Sequence, residues 1–244
     1  MRIIAITSGK GGAGKTFISV NLAAALAYLG NDVTLIDANF TTPNAGLICG
    51  ITSYNNTLHD ILCGNFNINP IYKTPYGFKI VPGSLSLYSM INARIENFDE
   101  IFKKVNSEYV IIDTAAGIGK ECSYALLSSK EVFIVVNPEI TSIVDALRVR
   151  RVLEEMKKDI KGTIVNKVRN ADDIKKVKTY FDDIVTILPE DNRVRNSIEQ
   201  KIPFIYLYPS SFISAQLLNL ASSLSNKFLE FKPSFFERLK FRFI

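Results

Sequence analysis

A glycine-rich loop near the amino terminus limits the folds open to this chain more than any other feature. Residues 9–16 read GKGGAGKT, an apolar run at 2–7 precedes them, and a helical pattern begins at about residue 15. This order matches the pattern G-x-x-x-x-G-K-[ST], in which a phosphate-binding loop joins a strand to a helix. The glycines let backbone N–H groups point inward around phosphate oxygens, and the helix N-terminus adds a positive dipole. The loop therefore predicts a nucleotide-binding α/β fold.

Short apolar runs alternate with longer segments of helical period along the rest of the chain. Runs such as IIAIT and VFIVVN are apolar on both faces, which is typical of strands covered by helices on each side. The alternation predicts a doubly wound, mostly parallel β-sheet flanked by helices. Strands are predicted at residues 2–7, 33–37, 78–82, 108–113, 131–136, 161–166, 184–187 and 203–206. Helices are predicted at residues 15–29, 57–63, 94–105, 120–129, 141–158, 171–181, 191–200 and 210–231.

Composition excludes several other classes of protein. The 244 residues are 47% hydrophobic and 22% charged, as in ordinary globular proteins and unlike disordered or fibrous chains. Three scattered cysteines without a CxxC pair argue against a disulfide framework, a zinc finger and an iron–sulfur cluster, and they fit a reducing cytosol. The single histidine, His59, is predicted to be structural. We find no signal peptide and no apolar run long enough to span a membrane.

Two loop side chains and two strand-end carboxylates form the predicted phosphate and metal site. Lys15 is expected to reach the β- and γ-phosphates, and Thr16 to place its hydroxyl on Mg²⁺. Asp37 and Asp113 each end a predicted strand, and the carboxyl ends of parallel strands share the edge where ligands bind. Asp113 matches the carboxylate that holds an Mg²⁺-bound water in such sites. A strand-terminal cap is the alternative role for Asp113, and the same alternative applies to Asp37.

Several separated segments resemble the MinD/ParA family of ATPases, and the MinD branch with its archaeal and bacterial members most closely. The likeness covers about residues 1–225 and begins with the loop SGKGGAGKT, which resembles the family's deviant phosphate loop. The other matching segments include LIDANFTTPNAGL (35–47), TLHDIL (57–62), VIIDTAAGIGKE (110–121), VVNPEITSIVDALR (135–148), IVNKV (164–168) and ILPEDNRVRNSIEQKIPFI (187–205).

The resemblance implies a set of nucleotide contacts. The loop and the start of its helix would hold ATP through Gly9, Lys10, Gly11, Gly12, Ala13, Gly14, Lys15, Thr16 and Phe17. Lys10 would reach across a homodimer to the phosphates of the other subunit; without the resemblance it is one more solvated lysine. Asn166 would lie beside adenine, or serve only as a strand-end turn residue. Pro189, Glu190 and Asp191 would close over the base, or form a helix N-cap cluster.

Two residues in these segments differ from the patterns of relatives and affect the predicted chemistry. GTP-binding relatives read N-K-x-D, whereas this chain has Arg169 in place of the aspartate and offers only donors, so guanine is disfavoured. MinD-like proteins usually read D-x-D where this chain has Asn39 after Asp37. An amide orients water but cannot take a proton, so we expect slow hydrolysis unless the substitution is neutral. The predicted catalytic residues are Lys10, Lys15, Asp37, Asn39 and Asp113.

The carboxyl-terminal segment carries much of the net positive charge. The chain has a net charge of +5. Residues 227–244 hold five basic and two acidic side chains, so this segment contributes +3 of it.

Ser234 is a candidate helix cap, and MinD relatives carry a similar tail as a membrane anchor. We divide the chain into an ATPase domain at 1–231 and an amphipathic membrane-targeting tail at 232–244. The predicted lipid contacts are Phe235, Phe236, Leu239, Phe243, Arg238, Lys240 and Arg242. Docking of this helix on the protein's own surface or on a partner is the alternative.

These features together predict a Mg²⁺-ATP-dependent dimerising ATPase that binds an anionic membrane reversibly. It is expected in the cytoplasm and peripherally on the inner face of the cell membrane, where it positions division or polar machinery through an unidentified protein partner. One alternative is a ParA-like partition ATPase that acts on DNA. Another is a nucleotide-bound scaffold with little hydrolysis. The DNA-binding alternative uses the basic side chains Arg148, Arg150, Arg151, Lys157 and Lys158.

Overall fold

The computed structural model describes residues 1–227 and 229–244, and its strands form one sheet. They are β1 (Arg2–Thr7), β2 (Val33–Ala38), β3 (Tyr72–Lys73), β4 (Lys79–Val81), β5 (Tyr109–Thr114), β6 (Glu131–Val136), β7 (Asp159–Val168) and β8 (Ile184–Pro189). Their order across the sheet is β3-β4-β2-β5-β1-β6-β7-β8. Only the pairing of β3 with β4 is antiparallel among the described strands. The predicted doubly wound, mostly parallel sheet is confirmed.

Helices cover both faces of the sheet. They are α1 (Lys15–Tyr28), α2 (Ala45–Ile48), α3 (Leu58–Leu62), α4 (Leu87–Asn92), a 3-10 helix (Ile95–Lys103), α5 (Lys120–Ser128), α6 (Ile140–Glu155), α7 (Ala171–Lys178), α8 (Arg193–Glu199), α9 (Phe204–Leu207), α10 (Phe212–Leu224) and α11 (Phe235–Lys240). Alternate residues of β1 enter opposite cores: Ile4 and Ile6 pack towards α1 and α10, and Ala5 packs towards α5 and α6. Because both faces of the central strands are buried, their sequences are mostly apolar, and their acidic residues lie near the strand ends.

The strand predicted at 203–206 is wrong, because residues 204–206 lie in α9. Pro203 precedes the helix, and Phe204 is buried against Phe17 of α1, with ring centroids 5.7 Å apart. A short apolar run does not distinguish a strand from a buried helical turn. The predicted helix at 94–105 is a 3-10 helix, and the short elements α2, α4 and β3 were not predicted. The helix predicted at 210–231 ends at Leu224, and residue 228 of that range lies outside the described residues.

The tail contacts the ATP-binding domain predicted at 1–231. Phe241 is only 5% exposed and packs on Phe212 of α10, with ring centroids 5.6 Å apart. Phe235 and Phe236 are 67% and 80% exposed. The predicted apolar stripe is wrong at Phe243, because α11 ends at Lys240 and Phe243 is half-buried against the protein. The tail therefore presents only part of its apolar surface to the outside.

The other predicted lipid contacts are exposed. Leu239 is 56% exposed, and the basic side chains of Arg238, Lys240 and Arg242 lie at the surface. Among the described residues, none of the helices has both the length and the apolar character needed to cross a bilayer.

Candidate functional site

A cleft of about 750 Å³ lies at the sheet edge where β1, β2 and β5 end. It runs from the glycine-rich loop to the loop after β8. The predicted nucleotide-binding residues that line it are Gly11, Gly12, Gly14, Lys15, Thr16, Phe17, Asn166, Pro189, Glu190 and Asp191. The structure thus brings together residues from three distant parts of the sequence in one cleft.

The glycine-rich loop has room for glycine alone at two of its positions. A Cβ on Gly9 would lie 2.2 Å from the backbone carbonyl carbon of Asp145 in α6. Gly14 has a φ of +98°, and a Cβ there would meet the Nδ2 atom of Asn166 at 2.2 Å. The loop can therefore pack closely against α6 and β7, and Gly9 and Ala13 contribute to this packing without lining the cleft.

Two side chains at the end of β7 donate hydrogen bonds to backbone carbonyl oxygens of the glycine-rich loop. Asn166 donates from Nδ2 to the carbonyl oxygen of Ala13 at 2.8 Å, and Lys167 donates from Nζ to that of Gly12 at 2.9 Å. Asn166 was predicted to lie beside adenine; it lines the cleft, but its amide nitrogen supports the loop. Lys167 was not predicted, because its role depends on a contact between segments about 150 residues apart.

Lys15 points along the inner side of the loop. Its Nζ donates to Ser8 Oγ at 3.1 Å, and Ser8 Oγ donates in turn to the carbonyl oxygen of Lys10 at 2.8 Å. Burial lowers the pKa of Lys15, and the negative charge of Asp113 opposes that shift. A buried ammonium with few partners is suited to bind phosphate oxygens.

Asp37 and Asp113 lie in paired positions of β2 and β5, and both are almost fully buried. Asp37 accepts from the backbone N–H of Ala45 at 2.8 Å, whereas Asp113 accepts from Ser19 Oγ at 3.1 Å. The second carboxylate oxygen of Asp113, Oδ2, has no hydrogen-bond partner among the described residues. Burial raises the pKa of both carboxyl groups, and the charge of Asp113 adds to the shift at Asp37.

The residues present fit a magnesium ion that also binds phosphate. The unpartnered oxygen of Asp113 and the hydroxyl of Thr16 are hard ligands of the kind that Mg²⁺ takes, usually with several waters. Within residues 1–227 and 229–244, no three His, Cys, Asp or Glu side chains form a cage for a metal. Thr16 and Asp113, with Asp37 beside them, would hold such an ion together with a nucleotide, and a stand-alone metal centre is not indicated.

Asn39 lies at the rim of the cleft, but its side chain is bonded to its own loop. Its Nδ2 donates to the carbonyl oxygen of Thr42 at 2.9 Å and to Thr42 Oγ1 at 3.0 Å. The backbone N–H of Asn39 also donates to Asp37 Oδ1 at 3.3 Å. The amide of Asn39 therefore stabilises the turn after β2.

Lys10 lies outside the cleft of its own subunit. Its Nζ is 3.2 Å from Thr141 Oγ1 and 3.5 Å from Glu139 Oε2, at the start of α6. The side chain is 46% exposed, so it is available to another molecule. A lysine that points away from its own phosphate loop is consistent with the predicted contact across a dimer.

The far end of the cleft is formed by the loop after β8 and by α8. The side chains of Ile48, Val194 and Ile198 line it, and Arg195 and Glu199 stand at the rim. These residues were not predicted, because α8 comes close to α2 only in the folded chain. Apolar and charged groups side by side are suited to a planar base and a ribose.

Asp191 contributes to that end of the cleft in a way the sequence did not indicate. Its carboxylate accepts from the backbone N–H of Arg193 at 2.9 Å and from the guanidinium of Arg193 at 2.6 Å. The residue at the N-cap of α8 is Asn192, not Glu190 or Asp191. Arg169 pairs with Asp173 at 3.5 Å and does not line the cleft.

Three of the five basic side chains that were considered for DNA binding lie on α6 and form ion pairs with acids. Arg148 binds Asp145 at 3.0 Å, Arg151 binds Glu155 at 3.4 Å, and Arg150 pairs with Asp183 in a half-buried contact. Lys158 donates to the backbone carbonyl oxygens of Leu127 and Ser129. Arg150 and Lys158 are therefore engaged within the protein, whereas Arg148, Arg151 and Lys157 keep exposed side chains.

Comparisons with known proteins agree with this geometry. Residues 4–204 match the model of the CobQ/CobB/MinD/ParA nucleotide-binding domain. An uncharacterised ATP-binding protein of Methanocaldococcus jannaschii is 39% identical over 91% of this chain and 86% of its own length.

Two solved structures are also similar. One is the septum site-determining protein MinD complexed with Mg-ADP from Pyrococcus horikoshii, with a TM-score of 0.86, 31% identity, and coverage of 93% of this chain and 96% of that one. The other is a MinC:MinD cell-division protein complex of Aquifex aeolicus, with a TM-score of 0.80 and 29% identity. The match covers 95% of this chain and 98% of that one.

Proposed function

The chain belongs to the CobQ/CobB/MinD/ParA family of nucleotide-binding domains, and we propose that it is an ATPase switch that dimerises around Mg²⁺-ATP. In its dimeric form it binds an anionic membrane reversibly and positions other proteins there. The chain's similarity to the Pyrococcus horikoshii MinD, which was solved in complex with Mg-ADP, supports this proposal.

One observation carries the nucleotide part of the proposal. Oδ2 of Asp113 is buried without a partner, behind a phosphate-type loop that also supplies Lys15 and Thr16. A buried carboxylate oxygen without a donor is unfavourable unless a ligand pairs with it. Mg²⁺ bound to a nucleoside triphosphate would provide that pairing, and the charge of the ion would stabilise the transferring phosphoryl group.

The chain's own residues account for the remaining steps of hydrolysis. The loop N–H groups and Lys15 hold the phosphates in place for attack by water. Asn39 lies at the cleft rim but is bonded to Thr42, and it has no carboxylate with which to polarise the water. We therefore expect low basal turnover and a long-lived ATP-bound state.

Lys10 supplies the link between nucleotide and dimer. It projects away from its own cleft and is held there by weak, exposed contacts with Glu139 and Thr141. Insertion into the cleft of a second subunit would pair it with phosphate oxygens. A triphosphate attracts this cation more strongly than a diphosphate does, so ATP favours the dimer.

The tail supplies the membrane contact. Phe235, Phe236 and Leu239 are exposed, and Arg238 and Arg242 lie near them in sequence. Each basic residue near an anionic lipid surface contributes roughly 1 kcal/mol. One short tail binds weakly, whereas two tails on one dimer bind far better because the second contact is intramolecular. The protein partner and the place in division or polar organisation follow from the likeness to MinD, which is found in a complex with MinC.

Liposome co-sedimentation at saturating ATP, at saturating ADP and without nucleotide tests this proposal. The full chain is expected to sediment with anionic vesicles in ATP and to remain largely in solution in ADP. A chain that ends at Pro233 is expected to stay in solution in every condition. Equal sedimentation with and without ATP, or undiminished sedimentation of the shorter chain, contradicts the proposal.

A further inference from the structure

Arg193 joins the nucleotide cleft to the carboxyl-terminal tail. Its guanidinium donates to Asp191 Oδ2 at 2.6 Å and to the two carboxylate oxygens of Glu237 at 3.0 and 2.9 Å. Asp191 lines the cleft, and Glu237 lies in α11. One cation is thus shared by a wall of the cleft and a helix of the tail.

The two carboxylates of this cluster are well shielded from solvent, whereas the side chain of Arg193 is 30% exposed. The side chain of Asp191 is 3% exposed and that of Glu237 is 14% exposed. Burial alone would raise the pKa of Asp191, but the hydrogen bonds and charge of Arg193, with a smaller effect of Lys240, hold it below its usual value. Arg193 also lies over the ring of Tyr208, with its guanidinium carbon 5.3 Å from the centroid. Pairs shielded in this way are screened less by salt than exposed ones.

The same carboxylate fixes the tail to the body of the protein. Glu237 Oε2 accepts from the backbone N–H of Phe212 at 3.0 Å, and Ser234 donates from its N–H to the carbonyl oxygen of Ser210 at 3.0 Å. Beside these bonds, Phe241 is buried on Phe212. Six helical residues are too few to form a stable helix in water. The helical form of the tail therefore depends on this docking.

We propose that Arg193 couples nucleotide binding to the order of the tail. The docked tail holds Glu237 on Arg193, Arg193 holds Asp191, and Asp191 fixes the wall of the cleft where the base would lie. A bound nucleotide stabilises that wall, so the nucleotide and the docked tail stabilise each other. This coupling rests on the proposed function in one respect, namely that the cleft binds a nucleotide.

The coupling gives the exposed face of the tail a fixed position. Phe235, Phe236 and Leu239 point outward while Glu237 and Phe241 hold the helix. The nucleotide-bound protein therefore presents an ordered apolar face that meets lipid without first detaching from the domain. Because binding couplings are reciprocal, loosening the tail weakens nucleotide binding by the same factor by which nucleotide strengthens tail docking.

Titration calorimetry with ADP and Mg²⁺ tests the coupling without dimer formation or hydrolysis. Glu237→Gln is expected to weaken ADP binding about fivefold, at the lower end of typical couplings between sites. Phe241→Ala loosens the tail without a change of charge, and we expect it to weaken ADP binding in the same direction. Glu230→Gln is the matched control, because Glu230 precedes α11, is exposed and pairs with Lys232. It should bind ADP as the wild type does.

Hydrogen exchange on the wild-type protein provides a second readout. The amides of residues 237–241 are expected to exchange more slowly once Mg-ADP is bound. Unchanged ADP affinity in Glu237→Gln or in Phe241→Ala, or unchanged exchange in the tail, overturns the coupling while the wild-type protein still binds ADP. If the wild type does not bind Mg-ADP, the proposed function fails as well.

Discussion

Asp37 and Asp113 face each other from paired positions of two neighbouring parallel strands, and neither is exposed to solvent. Asp37 is satisfied by backbone N–H groups, whereas one oxygen of Asp113 has no partner in the described part of the chain. Two buried carboxylates in paired positions of neighbouring strands repel each other when both are ionised. The pair therefore lowers the stability of the protein without ligand, and it favours the binding of a cation. Functional sites often reduce stability in this way.

Replacement of Asp113 by asparagine is expected to separate stability from activity. The amide oxygen of Asp113→Asn still accepts from Ser19, and the buried negative charge is removed. The empty variant should therefore be more stable than the wild type by about 1 kcal/mol, whereas Mg²⁺-dependent ATP hydrolysis should fall at least about 100-fold. Thermal unfolding without nucleotide and phosphate release with Mg²⁺ measure the two effects. A less stable or still active variant contradicts this role.

Asn39→Asp is expected to raise ATP turnover by about tenfold or more, because a carboxylate polarises water and an amide does not. The new carboxylate can still accept from the N–H and hydroxyl of Thr42, as Asn39 Oδ1 does, but it loses the bond that Asn39 Nδ2 donates to the Thr42 carbonyl oxygen. Phosphate release at saturating ATP measures the effect, with Asn39→Ala as the variant that cannot position water at all. Equal turnover in wild type and Asn39→Asp removes this residue from the account.

His59 is buried as the neutral imidazole and bridges two loops. Its Nε2 lies 2.8 Å from the carbonyl oxygen of Phe40, and its Nδ1 accepts from the N–H of Ser84 at 2.9 Å. Burial lowers the pKa of His59, and the bond to Phe40 and the charges of Asp60 and Glu121 oppose that shift. The folded state thus binds this proton less tightly than the unfolded state does. Its contribution to stability is complete above about pH 6.5 and is lost as the pH falls towards the lowered value.

The contribution of His59 to the free energy of unfolding should therefore decrease as the pH falls from about 7.5 to 5.5, by at most about 1.4 kcal/mol per pH unit. The raised pKa values of Asp37 and Asp113 act on the total free energy in the opposite direction, so the comparison with a variant isolates His59. His59→Asn removes the titrating group, so the stability difference between wild type and variant should shrink across that range. Urea unfolding followed by circular dichroism at each pH measures it. A difference that is the same at every pH excludes His59 as the titrating group.

The exposed and the buried phenylalanines of the tail should behave differently. Phe235→Ser and Phe236→Ser remove apolar surface that faces outward, and we expect each to weaken vesicle binding about tenfold while protein stability stays unchanged. Phe241→Ser should lower the free energy of unfolding, because it removes a ring packed on Phe212. Vesicle titration and urea unfolding of the three variants test this. The same response from all three contradicts the division of the tail into an outer and an inner face.

The sequence was sufficient to predict most of the sheet and to bring the glycine-rich loop, Asp37 and Asp113 to one edge of it. Strands buried on both faces leave uninterrupted apolar runs, and the spacing of glycines, Lys15 and Thr16 is a local requirement of the loop. Asp37 and Asp113 were predictable because carboxyl ends of parallel strands share an edge. Each of these features depends on residues close together in sequence or on a general rule of topology.

The base end of the cleft and the docking of the tail could not be predicted in this way. Glu237 and Arg193 are 44 residues apart, and Lys167 and Gly12 are 155 apart. Helical periodicity placed Phe243 on the outer stripe of the tail, but tertiary contacts end the helix at Lys240 and turn the ring inward. The ion pair between Arg150 and Asp183 could not be predicted from charge counting either, because Asp183 lies outside α6.

Light scattering of the purified full chain with Mg²⁺ and a non-hydrolysable ATP analogue tests whether Lys10 joins two copies of the chain around the nucleotide. We expect twice the monomer mass with the analogue, the monomer mass with ADP, and the monomer mass for Lys10→Ala in both. A wild-type protein that stays monomeric with the analogue, or a Lys10→Ala variant that still dimerises, contradicts the account, because Lys10 would then not join two subunits through the nucleotide.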